Sequence, residues 1–178
     1  MKRSFIIFAF LLFISLMGCE QKSQEGGRQA ESTPIDLKKI EEQLRKEQYE
    51  YAEAWCNKDM DAISRIWAHD DDIVILGAEK REPVIGWEGP NGVKNRYQNS
   101  FNSKQKIDFR IHNLRIKVCK SGTAAFIIYD VESTTIDNEG NESTSRPRIT
   151  VVRELRDGAW KNIHAHASFS IPEIQAMK

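Results

Sequence analysis

Apolar residues recur along the first third of the chain at the spacing of one helix face. Leu37, Ile40, Leu44, Gln48, Tyr51 and Trp55 share a stripe, widened by Ala52 and Cys56, while Lys38, Lys39, Glu42, Arg45, Lys46 and Glu50 take the other side. The spacing predicts a long helix packed on one face. Asp59 is placed to cap a shorter second helix, because its carboxylate can accept from free N–H groups of the first turn. Met60, Ile63 and Trp67 then face inward. Ile73 to Leu76 reads as a short buried strand after the acidic run Asp70-Asp71-Asp72, and Gly77 to Pro83 as a loop. The glycine-rich step from Gly86 to Gly92 leads into a third helix with Val93, Tyr97 and Phe101 on one face.

After Phe101 the period changes from helical to alternating, and four strands are predicted. Ile107, Phe109 and Ile111 alternate; the phase slips at His112-Asn113, and Leu114, Ile116 and Val118 continue. One extra residue that flips the alternation is the trace of a β-bulge, which bends a sheet. Ala124 to Thr135 is a long strand with its turn at Asp137–Asn141. Arg148 to Arg153 is the third strand, Arg156-Asp157-Gly158 a tight turn, and Trp160 to Ser168 the returning strand. An Asp-Gly step between two β-prone runs marks a hairpin, since Gly takes positive φ at no steric cost. Three helices followed by a long-stranded bent sheet make an α+β domain.

The closing pattern Thr150-x-Val152, Arg156-Asp157-Gly158-x-Trp160, His164-x-His166-x-Ser168 resembles the final hairpin of the nuclear transport factor 2-like superfamily. The SnoaL-like branch and the association domain of calcium/calmodulin-dependent protein kinase II share that pattern. The segment from Trp55 to Trp67 resembles the helix–turn–helix opening of the SnoaL-like branch, and the glycine step before helix three also fits. The resemblance spans about residues 40–170. It implies a cone of cystatin-like topology: three helices packed in a strongly bent, mainly antiparallel sheet around a cavity. Members divide between small enzymes and non-catalytic binding or assembly domains.

The N-terminus is a separate region. Lys2 and Arg3 precede the apolar run Phe5–Met17, whose 13 residues are too few to span about 30 Å of hydrocarbon as a helix. This is the form of a signal peptide, and Leu16-Met17-Gly18-Cys19 resembles a bacterial lipobox cut before its cysteine. The resemblance implies a Cys19 carrying a diacylglyceryl thioether and an acylated amine, and residence in the cell envelope outside the cytoplasm, with Glu20 favouring an outer membrane where the host has one. Residues 1–18 are thus the leader, 19–36 a polar flexible tether, 37–171 the domain and 172–178 a tail. The full chain of 178 residues has no net charge, and no basic cluster points to nucleic acid.

Four histidines and a few inward-facing polar residues carry the candidate chemistry. His164 and His166, two apart on one strand, share a face with Cα atoms roughly 6.7 Å apart. No third ligand stands at a committed spacing, so neither a metal nor another cofactor is expected. Arg148 and Arg153 face opposite ways, and Arg148 is the candidate to meet an anion in the cavity. Arg148, Tyr129, His164 and His166 form the expected ligand set, walled by Trp55, Trp67 and Tyr97, for a small anionic or polar ligand. His69, Asp70 and His166 are the candidate acid–base residues of the alternative, a cofactor-independent isomerase, cyclase or hydrolase. Trp87 is expected to plug the cone or cover its mouth. Cys56 and Cys119 are expected to be free thiols. Sheet edges and an uncovered outer face predict a homodimer or larger homo-oligomer.

Overall fold

Capping residues set the boundaries of the first two helices. The computed structural model describes residues 34–78 and 82–170; the predicted leader, Cys19, the tether up to Thr33 and the tail at 172–178 lie outside the described residues. Helix α1 (Leu37–Asn57) starts where the Asp36 carboxylate accepts from the N–H groups of Lys38 and Lys39, each at 3.1 Å. It stops at Lys58, whose left-handed φ of 54° lets its N–H turn back onto the last carbonyls of the helix. Asp59 then caps α2 (Met60–Ile66), accepting from Ala62 N–H at 2.9 Å as the sequence predicts. Helix α3 (Val93–Asn102) buries Val93, Tyr97 and Phe101. Its entry must be glycine at Gly92, where a Cβ would lie 2.3 Å from the Glu88 carbonyl oxygen.

The strands are β1 (Val74–Leu76), β2 (Val84–Ile85), β3 (Lys104–Val118), β4 (Ala124–Asp137), β5 (Glu142–Ser145), β6 (Arg148–Arg156) and β7 (Ala159–Ser168). They form one curled sheet in the order β2-β1-β7-β6-β4-β3, with β5 also pairing β4. Only β1 and β7 run parallel. Two strands escape the sequence pattern. β2 is two residues long, too short to alternate. β5 is wholly polar and pairs through hydroxyls, Thr134 with Thr144 and Thr135 with Ser143, both at 3.0 Å. Five strands therefore follow α3, not four.

Two irregularities shape the inner face. In β3 the register slips between His112 and Arg115, and Asn113 takes a φ of 52°, which is the bulge expected from the broken alternation. In the closing hairpin, Val152 pairs His164 but Arg153 pairs Asn162, leaving Ile163 as an extra residue. The turn itself has positive φ at both Asp157 (51°) and Gly158 (79°), the twist that suits a two-residue hairpin. Inside the curl, an aromatic-rich cluster of α1, α2 and α3 residues meets Ile73, Ile75 and Ile107. A second cluster of Ile127, Tyr129, Val131 and Val151 covers the middle of the sheet.

Candidate functional site

The core stops short of filling the space between α1, α3 and the inner sheet face. A cavity of about 790 Å³ opens there, lined by residues from α1, α3, β4, β6 and β7. Its apolar wall is built on Trp55, which stacks on Phe109 with ring centroids 5.6 Å apart and 4° between planes. Tyr97 and Phe101 flank the same indole at 5.1 and 5.3 Å. One turn of α1 separates Tyr51 from Trp55 and one turn of α3 separates Tyr97 from Phe101, so each helix offers adjacent rings to the same space.

The polar groups of this wall bond chiefly to each other. Tyr51 and Tyr97 hydroxyls lie 2.7 Å apart, and Trp67 Nε1 donates to Tyr97 at 3.0 Å. Two hydroxyl hydrogens meet one mutual bond, so one is left over whichever tyrosine donates. Trp55 Nε1 is buried and makes no well-formed hydrogen bond among the described residues, although the Tyr51 hydroxyl lies near enough to feel its N–H weakly. Burial pushes the Tyr97 hydroxyl well above its ordinary pKa, with Tyr51 adding to the rise. Tyr129 is raised well above its ordinary value by burial and by Tyr51, against the opposing pull of Arg153 and the Gln48 amide. Burial raises Tyr51 as well, so at neutral pH all three phenols are neutral, not bases. Asn162 and the half-buried Arg96 complete the deeper lining, and the exposed Glu82 at the rim is the cavity's one carboxylate among the described residues.

Behind this wall sits a charge the sequence left unassigned. Arg153 is fully buried. Its Nε donates to Asn162 Oδ1 at 2.7 Å, Nη1 to Glu47 Oε2 at 3.0 Å and Nη2 to Gln48 Oε1 at 3.2 Å. Desolvation lowers its pKa, and the Glu47 carboxylate counters that most strongly. Arg153 carries the inward phase of β6 with Ile149 and Val151, which line the cavity.

The expected ligand set divides across the sheet. Tyr129 lines the cavity. Arg148 does not: it is exposed, pairs Asp130 and Ser168 in register, and faces away from Ile149 and Val151. The choice between Arg148 and Arg153 falls to Arg153, because strand alternation puts the guanidinium of odd-numbered β6 positions inside. His164 and His166 lie opposite Val152 and Thr150, on the outer phase, because the extra residue Ile163 returns Ala165 and Ala167 to the inside. His166 reaches the cavity rim but is exposed, and His164 is not part of the lining. Burial lowers the His164 pKa, with neighbouring His166 second.

His69 and Asp70 are outside the cavity. His69 stacks on Trp87 at 4.4 Å and bonds the Ser64 carbonyl through Nε2 at 2.9 Å, while Asp70 is ion-paired with Arg156. Trp87 is a core residue, 3% exposed, and neither lid nor cavity plug. Cys56 and Cys119 are half-buried free thiols, with Cys56 Sγ accepting from Phe109 N–H at 3.3 Å. The wall residues Trp55, Trp67 and Tyr97 are where the sequence pattern put them, but they supply the hydrogen bonding as well as apolar surface. Only their shared helical faces signalled this.

Comparisons with known proteins agree with this geometry. A family model described as a SnoaL-like domain matches residues 48–172, more than half of the chain. The F-box protein SKIP8 of Arabidopsis thaliana is 26% identical over 116 residues, 65% of this chain and 45% of that protein. The chain thus spans less than half the length of that curated relative. Among solved structures, a nuclear transport factor 2-like superfamily protein from Salmonella enterica superposes with a TM-score of 0.65 at 16% identity, over 74% of this chain and 92% of that one. The association domain of C. elegans CaMKII gives a TM-score of 0.58 at 18% identity, over 76% of this chain and all of that one. Both share the fold.

Proposed function

The chain belongs to the SnoaL-like domain family, and from that premise we propose that it is a binding domain for a small, flat molecule bearing a carbonyl, ether or phenolic oxygen. The observation that carries this reading is the donor surplus in the cavity: Trp55 Nε1 without a well-formed hydrogen bond and a spare hydroxyl hydrogen on the Tyr51–Tyr97 pair. Leaving a buried donor unmatched costs about 1–3 kcal/mol, which an acceptor oxygen on a ligand would recover. Stacked Trp55 and Phe109 supply a flat apolar surface for the rest of the molecule.

The alternative is a cofactor-independent isomerase or cyclase. Its base would have to be Glu82 or His166, the rim groups, since the deep hydroxyls are held neutral. That contrast favours binding. Titration calorimetry of the full chain with methyl 4-hydroxybenzoate tests it. Wild type should bind, and Trp55→Phe should weaken binding about tenfold by removing one donor while keeping a ring. Equal affinity in both proteins, with the ester bound elsewhere, would sink the reading.

Self-assembly is favoured by a second observation. Phe126 and Ile128 are 46% and 50% exposed on the outer sheet face, with exposed Ile85 and Leu76 on the β1–β2 side. We propose that a second copy covers this face, and light scattering at micromolar concentration should give at least a dimer mass that Phe126→Lys reduces to monomer. A monomeric wild type would refute it. The placement of this domain at the bacterial envelope through a lipidated Cys19 is proposed from the sequence alone.

A further inference from the structure

Arg96 and Arg153 both present guanidinium groups to the inside of the same domain, yet among the described residues only Arg153 is matched. Arg96 is the sole Lys or Arg in the cavity lining among the described residues. It is half-buried, and no side-chain hydrogen bond or ion pair joins its guanidinium to another described residue. Glu82 shares the lining but lies beyond ion-pair distance. A guanidinium partly withdrawn from water loses hydration that a paired carboxylate restores, and its planar fork fits two carboxylate oxygens at once.

The fold also makes room for this guanidinium. A Cβ added at Gly77, just past the end of β1, would lie 2.9 Å from Arg96 Nη1 and 3.1 Å from Nη2. The first is closer than real Cβ atoms come, so an added methyl would push the flexible tip of Arg96 aside, and glycine leaves a bed for the fork. No positive φ demands glycine at this position. The same guanidinium lies close enough to the Tyr51 hydroxyl to act on it electrostatically. The cation and the donor cluster therefore address one volume.

We propose that Arg96 is the anchor for a carboxylate on the molecule this cavity binds, which makes the ligand a small unsaturated or aromatic acid with an oxygen at its far end. The proposal rests on the cavity reading above and narrows it. One cation in the lining fits a monoanion; a phosphate dianion would call for further positive charge. The acid end meets Arg96, the ring lies along Trp55 and Phe109, and the far oxygen accepts from Trp55 or the Tyr51–Tyr97 pair.

A pair of probes separates the two readings: 4-hydroxybenzoate and its neutral methyl ester, titrated into the full chain by calorimetry at neutral pH. Wild type should bind the acid at least about tenfold more tightly than the ester, a difference of roughly 1.4 kcal/mol. Arg96→Gln should abolish that preference, weakening the acid at least about tenfold more than the ester, and Arg96→Lys should restore part of it. Retained ester binding doubles as proof that the variants are folded. If Arg96→Gln keeps the wild-type preference, or wild type prefers the ester, the anion anchor is overturned and the cavity reading survives. If wild type binds neither probe at millimolar concentration, both fall.

Discussion

Two polar clusters share the inner face of this domain and differ in how completely they are satisfied. Around Arg153, each guanidinium nitrogen meets an oxygen, supplied by Asn162, Glu47 and Gln48, although Gln48 Nε2 makes no hydrogen bond of its own among the described residues. Around Trp55 and Arg96, an indole N–H and a guanidinium make no well-formed hydrogen bond among the described residues. The first cluster ties α1 to β6 and β7. The second is short of oxygen atoms, and a ligand is the natural source. Whether the cation is matched by oxygen atoms thus separates a group that holds the fold from one that holds a guest.

The largest expected effect tests the first half of that contrast. Arg153→Met keeps an apolar stem but leaves Glu47, Gln48 and Asn162 without their shared donor, which should destabilise the domain by about 3–5 kcal/mol. Urea denaturation measures it, and a loss below about 1 kcal/mol would place Arg153 with weak surface pairs. The smallest effect tests the second half. Gly77→Ala displaces the Arg96 guanidinium without touching the buried cluster, so stability should change by no more than about 0.5 kcal/mol. Its preference for 4-hydroxybenzoate over the ester should nonetheless fall toward that of Arg96→Gln. An intact preference would show that Arg96 does not depend on this bed.

Local chemistry was legible from the residues in order. The stripe Leu44-Gln48-Tyr51 fixed one face of α1, Asp59 capped α2, and Asp157-Gly158 closed the last hairpin. Each follows from interactions within a few residues, where periodicity and turn preference act directly. The slip at His112-Asn113 was visible because apolar residues on both sides revealed the change of phase. The polar strand β5 had no apolar alternation to reveal it.

The closing hairpin marks where the linear chain stops deciding. His164-Ala165-His166 announces its own period, but which phase faces inward depends on the extra residue Ile163 and on pairing with Val152 and Val74. A shift of one residue sends every side chain to the opposite face, so the histidines went outward and Arg153, not Arg148, went in. Sequence by itself determined the helices, the long strands, their order and the family, but not the short β2 or the polar β5. Tertiary structure alone decided which polar groups meet, because Tyr51 on α1, Trp67 just past α2 and Arg96 and Tyr97 on α3 converge only when the sheet curls around them.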